Sequence, residues 1–116
     1  MAFSPDGKRL VTAGKRHTAL IWDIETRTVL HTLRGHTGDV YAVAVSPDGR
    51  RVATAGEDST VKVWDSRTGD LLRSFRGHTG LVSCLVFVDD RTLISGSRDH
   101  TVKLWDVSKL GEDLGP

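Results

Sequence analysis

Short apolar runs of four to six residues follow one another along the chain, each closed by glycine, proline or aspartate. Val40-Tyr41-Ala42-Val43-Ala44-Val45 stops at Ser46-Pro47-Asp48-Gly49, and Leu85-Val86-Phe87-Val88 stops at Asp89-Asp90. A breaker of this kind intervenes about every 8–12 residues, so no stretch long enough for a helix keeps a 3.6-residue apolar period. The pattern predicts strands. In the middle of the chain four are expected, at 40–45, 51–55, 60–64 and 71–76. The first two are joined by the Ser-Pro-Asp-Gly turn, and the second and third by residues 56–59. Proline presets φ at the second position of such a turn, and Asp and Gly suit the later ones. Several runs are apolar on both faces, where a sheet with one wet face would alternate. These strands are therefore expected to be covered on both sides.

The same unit recurs. Trp22-Asp23, Trp64-Asp65 and Trp105-Asp106 are spaced by 42 and 41 residues, and Gly35-His36 and Gly77-His78 by 42. Val43-Ala44-Val45-Ser46-Pro47-Asp48-Gly49 matches Met1-Ala2-Phe3-Ser4-Pro5-Asp6-Gly7, and Thr60-Val61-Lys62-Val63-Trp64-Asp65 matches Thr101-Val102-Lys103-Leu104-Trp105-Asp106. A repeat of ~40–45 residues with four strands is a propeller spacing. With its Gly-His and Trp-Asp dipeptides in register, the chain resembles the WD40 family over residues 1 to about 110. The resemblance implies an all-β fold of four-stranded antiparallel β-propeller blades. About 2.75 blades are present, so the propeller is open and incomplete.

Aligned, the units place His36, Thr54, Asp58 and Trp64 level with His78, Ser95, Asp99 and Trp105. A buried indole has a donor, and a buried imidazole needs partners on both nitrogens. A hydroxyl serves the first and one ring nitrogen; an aspartate serves the other. In the WD40 family these four positions form a structural tetrad. The first unit retains Thr12 and Trp22 but has Arg16 at the aspartate position. His78, Ser95 and Asp99 also imitate a hydrolase triad. Two copies of the set, with no oxyanion hole, speak against catalysis.

Composition adds little chemistry. Apolar residues make up 38% of the 116, charged residues 27%, and the net charge is +1. Nucleic acid is not an expected partner, and neither is a membrane, because no apolar run nears the ~20 residues a span requires. No secretory leader is expected at the start of the chain, and cytoplasmic residence is. No cofactor or metal is expected. His36 and His78 fall in different blades, and His17, His31 and His100 read as loop or surface residues without ligand spacing. Cys84, the one cysteine, lies in an apolar run and is expected to be buried and inert. The pairs Lys8-Arg9 and Arg50-Arg51 read as solvated strand ends, and Gly56 as a turn glycine.

The expected organisation is a WD40 repeat region at 1–110: a partial first blade (1–34), a second blade (35–76) and a third lacking its fourth strand (77–110). A tail follows at 111–116. That makes eleven strands, and two or three copies give 22 or 33, neither divisible by four. Simple self-closure is disfavoured, leaving the C-terminal part of a larger propeller, completed by missing blades of the same polypeptide or by self-association. The resemblance implies a non-catalytic scaffold for protein–protein interaction. The alternative is a regulatory or substrate-recruiting appendage of a multidomain enzyme such as a bacterial protein kinase. The expected partner-binding rim is Lys15, Asp39, Tyr41, Glu57, Leu81, Ser83 and Arg98. Aromatic residues and arginine dominate interfaces, although Tyr41 and Leu81 also fit as strand-end packing.

Overall fold

A computed structural model of the chain describes residues 1–13 and 17–108. Its elements are β1 (Ala2–Phe3), β2 (Arg9–Ala13), β3 (Ala19–Asp23), β4 (Thr28–Leu33), β5 (Val40–Val45), β6 (Arg51–Gly56), β7 (Val61–Asp65), β8 (Leu71–Phe75), β9 (Val82–Phe87), β10 (Thr92–Ser97) and β11 (Val102–Asp106). No helix occurs among the described residues. The strands form three antiparallel meanders, β1-β2-β3-β4, β5-β6-β7-β8 and β9-β10-β11. The sheets are blades, and they do not close into a ring.

The hairpin chemistry repeats as closely as the sequence does. In the first two blades the turn serine donates to the turn aspartate, Ser4 Oγ to Asp6 Oδ1 and Ser46 Oγ to Asp48 Oδ1, both at 2.6 Å. The same carboxylate oxygens accept the amides of Lys8 and Arg50 at 2.9 Å. Gly7 and Gly49 close the turns at φ of 72° and 75°, a left-handed conformation in which a Cβ would be strained.

The two cores lie between blades. Val11, Ala19, Ile21 and Leu33 of the first blade pack on Val52 and Trp64 of the second, with Val43 and Val45 at the margin. The opposite face of the second blade offers Ala42, Ala44, Ala53, Ala55, Val61 and Val63, which meet Leu85, Leu93 and Val107 of the third. The Phe75 and Trp105 rings lie 4.9 Å apart across that interface. The middle blade is thus covered on both sides, which accounts for its doubly apolar strands.

The outer faces are uncovered. Val102 and Leu104 stand where Val61 and Val63 stand one blade earlier, yet each is 68% exposed while the two valines are fully buried. On the first blade Met1 and Phe3 are likewise exposed. Cys84, level with Ala42, lies exposed on the same open face of the third blade. The expectation of a buried thiol fails because its cover would come from a further blade and not from its own strand.

Candidate functional site

In the second blade one hydroxyl joins a buried polar chain. Trp64 Nε1 donates to Thr54 Oγ1 at 2.8 Å, and that oxygen lies 2.7 Å from His36 Nε2. Having accepted the indole proton, the hydroxyl gives its own to Nε2. The neutral ring therefore carries its proton on Nδ1 and donates it to Asp58 Oδ2 at 2.8 Å. Asp58 also accepts the amides of Thr37 and Thr60 and the Thr60 hydroxyl, which ties β5's approach to the β6–β7 turn.

The third blade repeats the chain. Trp105 Nε1 donates to Ser95 Oγ at 2.8 Å, Ser95 Oγ lies 2.7 Å from His78 Nε2, and His78 Nδ1 lies 3.0 Å from Asp99 Oδ2. The Thr101 hydroxyl and the Thr79 amide also donate to Asp99. In the first blade Trp22 Nε1 donates to Thr12 Oγ1 at 3.0 Å. Arg16 lies outside the described residues.

Protonation follows from these surroundings. Burial holds His36 below the ordinary histidine value, against the opposing pull of Asp58. Burial tends to raise Asp58, but the Thr60 amide and hydroxyl, with His36 and the Thr37 amide, more than offset it and hold it below the ordinary carboxylate value. The Thr101 hydroxyl is the largest influence holding Asp99 low. No buried side-chain polar atom lacks a partner among the described residues. Ser95 is fully buried, and its hydroxyl is occupied on both sides. No substrate carbonyl can reach it, so the arrangement supplies rigidity rather than a nucleophile. Among the described residues no group of three or more His, Cys, Asp or Glu is placed to hold a metal ion.

The expected rim residues gather at the opposite end of the strands from the Ser-Pro-Asp-Gly turns. The Asp39 amide donates to Glu57 Oε1 at 2.9 Å, and the Arg98 amide to the Leu81 carbonyl at 2.9 Å. His17 Nδ1 of the first blade lies 3.2 Å from Asp39 Oδ1 of the second. The β5–β6 register passes from Val40↔Gly56 to Ala42↔Ala55, leaving Tyr41 as the extra residue of a bulge. The β9–β10 register skips Ser83 in the same way. Bulges re-aim side chains, and both residues are exposed. Leu81 is half-buried and Arg98 exposed, whereas Lys15 lies outside the described residues.

The profile of the family described as "WD domain, G-beta repeat" matches residues 1–23, 27–65 and 69–106. The chain belongs to the WD40 family. WD40 repeats are those of a protein-interaction scaffold. Among curated proteins, the general transcriptional corepressor TUP1 of Saccharomyces cerevisiae is 44% identical over 43 residues, 37% of this chain and 6% of its own length. Mitogen-activated protein kinase kinase kinase A of Dictyostelium discoideum is 44% identical over 107 residues, 85% of this chain and 11% of its own length. Two solved structures, of U3-55K and of the RRP9 WD40 repeats, superpose with TM-scores of 0.87 and 0.86 at 29% identity. Both cover 92% of this chain, and it spans 35% and 34% of theirs.

Several contacts lay beyond sequence reasoning. In each WD40 dipeptide the aspartate caps the turn that follows: Asp23, Asp65 and Asp106 accept the amides of Glu25, Arg67 and Ser108. Their recurrence after every tryptophan was the available signal. Arg9 and Arg51 are not solvated strand ends; their guanidinium groups reach the carbonyls of Ser66 and Val107 in the next blade. His31 lies within β4 and donates from Nε2 to the Arg67 carbonyl at 2.8 Å. Gly56 ends β6, where a Cβ would come within 2.0 Å of the Asp39 carbonyl oxygen.

Proposed function

We propose that the chain is a non-catalytic, protein-binding wedge of a larger WD40 propeller. The tetrads stiffen each blade, and the rim around the Tyr41 and Ser83 bulges, with Asp39, Glu57, Leu81 and Arg98, meets the partner. The observation that carries this reading is the third blade's open face, where Val102 and Leu104 lie exposed at the positions that Val61 and Val63 hold fully buried in the second. Fully burying a valine or leucine is worth ~1.5–3 kcal/mol. Val102 and Leu104 leave most of that unrealised, as Met1 and Phe3 do at the other end. A further blade seated on each face supplies it. Tight loops on a stiff sheet stack then present side chains at low entropic cost. A cytoplasmic location is part of the same proposal. No helix among the described residues is long and apolar enough to cross a membrane.

Cys84 reports on the open face directly. Maleimide should label it within minutes in the isolated chain and not in a polypeptide carrying additional blades. Light scattering on the isolated chain should show self-association rather than one discrete small particle. A monodisperse, cooperatively melting chain would overturn the wedge reading. At the rim, Glu57→Lys and Arg98→Glu should abolish capture of a partner identified by affinity isolation, and unchanged capture would remove the rim from the proposal.

The 107-residue match to a mitogen-activated protein kinase kinase kinase favours a second reading, the regulatory or recruiting appendage of a multidomain enzyme. A catalytic domain encoded in the same reading frame would decide for it.

A further inference from the structure

At the turn end of the blades, opposite the rim, a cleft of about 340 Å³ opens between the first and second blades. Lys8 and Arg9 line it from one blade and Arg50 and Arg67 from the other, facing two carboxylates, Asp6 and Asp48. This excess of cations exceeds the net charge of +1 on the whole chain. Asp6, which feels the charges of Lys8 and Arg9, and Asp48, which feels those of Arg50 and Arg51, offset two of the four positive charges lining the cleft and leave it net positive. Arg9 is spent on the Ser66 carbonyl at 3.1 Å. Lys8, Arg50 and Arg67 are exposed, and among the described residues no carboxylate stands within ion-pair distance of them.

The next blade junction provides an internal comparison. There Arg67 is replaced by Ser108, and on the third blade's side Asp89-Asp90 stands in place of Pro47-Asp48-Gly49. Asp90 Oδ1 closes across the junction onto the Asp48 amide at 2.8 Å. Arg50, Arg51 and Arg91 hold the equivalent places at that junction, so what sets the first notch apart is Arg67, exposed in a cleft shared with Pro5.

We propose that this notch binds an acidic peptide segment of a protein partner, its carboxylates paired with Lys8, Arg50 and Arg67. Guanidinium groups held on two neighbouring blades suit successive carboxylates on an extended chain, and each charge-assisted bond is stronger than a neutral one. The cleft lies within the ~300–1,000 Å³ range of small binding sites, room for a few side chains rather than a domain. The proposal rests on reading the chain as a protein-binding scaffold. The two fail separately, because the Cys84 and rim tests do not involve the notch.

The test is surface plasmon resonance on the full chain tethered by its C terminus, with a peptide of alternating aspartate and glutamate as analyte. Saturable binding is expected, weakening as salt rises. Lys8→Glu combined with Arg67→Glu should weaken it about tenfold or more, whereas Arg91→Glu at the next junction should change it less than about twofold. Both altered residues in the first pair are exposed, and an unchanged melting temperature verifies the fold. Absence of saturable binding, or equal losses from Arg91→Glu, refutes the notch as an acidic-peptide site. Full competition by inorganic phosphate at the peptide's own concentration reduces it to a small-anion site and overturns the peptide proposal. Anionic vesicles that bind with the same variant dependence while the peptide does not would assign the notch to a membrane surface instead.

Discussion

Thr54→Val isolates the tetrad from everything else in the second blade. Valine keeps the β-branch and nearly the volume of threonine, so packing against β5 and β7 is preserved. What disappears is one oxygen with two duties, accepting the Trp64 indole proton at 2.8 Å and donating to His36 Nε2 at 2.7 Å. Trp64 is 2% exposed and Thr54 fully buried, so water cannot replace it. Each orphaned buried group costs ~1–3 kcal/mol, giving about 2–6 kcal/mol for the pair. A shift of ~4–8 °C per kcal/mol for a domain this size turns that into a fall of at least about 8 °C in Tm. Thr12→Val in the first blade is the control, since among the described residues Thr12 holds only the Trp22 indole, in a half-exposed setting where water substitutes. It should cost about 1 kcal/mol. Urea denaturation followed by far-UV circular dichroism measures both, and hydrogen exchange should place the Thr54→Val loss in β6 and β7. If the two variants lose equal stability within about 0.5 kcal/mol, the shared hydroxyl is not what holds the blade, and the reasoning fails.

Acidification should destabilise the chain in two stages. His36 is held below 6.5 in the fold, so as pH falls past that value the unfolded chain takes up a proton that the folded chain refuses, and stability drops. Asp58 and Asp99 are held below 3.8, so their contribution is present above that value and is lost as pH falls through their folded pKa values. Urea midpoints at pH 7.5, 5.5 and 3.5 should decline stepwise, and equal midpoints at 7.5 and 5.5 would contradict the neutral His36. Gly56→Ala should prevent the second blade from forming or cost more than about 3 kcal/mol, because the added carbon collides with the Asp39 backbone, not a movable side chain. A near-native melt for that variant would mean that the β5–β6 bulge can relax. Val102→Lys with Leu104→Lys should leave the tetrads intact and turn a self-associating sample monodisperse, as light scattering would show, since both residues point only into the open face. Unchanged association would place the sticky surface elsewhere.

What was legible in the sequence is what recurs. Three Trp-Asp dipeptides in register, two Gly-His dipeptides and two copies of Ser-Pro-Asp-Gly placed the four strands of the middle blade within a residue or two of their observed bounds. They also aligned the residues that the structure brings within hydrogen-bonding distance in two blades. What escaped depends on the neighbouring blade. Cys84 sits in as apolar a run as Ala42, and no local pattern distinguishes them; one has a blade against it and the other does not. Arg9 and Arg51 look like solvent-facing partners of Lys8 and Arg50 until the next blade supplies a carbonyl. The bulges that turn out Tyr41 and Ser83 arise from pairing register, which a single strand does not encode.

In a repeat chain, residues shared by the units maintain a blade, because every blade solves the same packing problem. Function then has to be sought where equivalent positions differ. Tyr41 against Ser83 at the rim, and Arg67 against Ser108 at the turn end, are such places, and they lie at opposite ends of the strands. A stiff stack of sheets carries two differently charged edges without either disturbing the other. A partner engaging both must therefore straddle the blades, and charge reversals at the two edges should combine additively in its binding free energy.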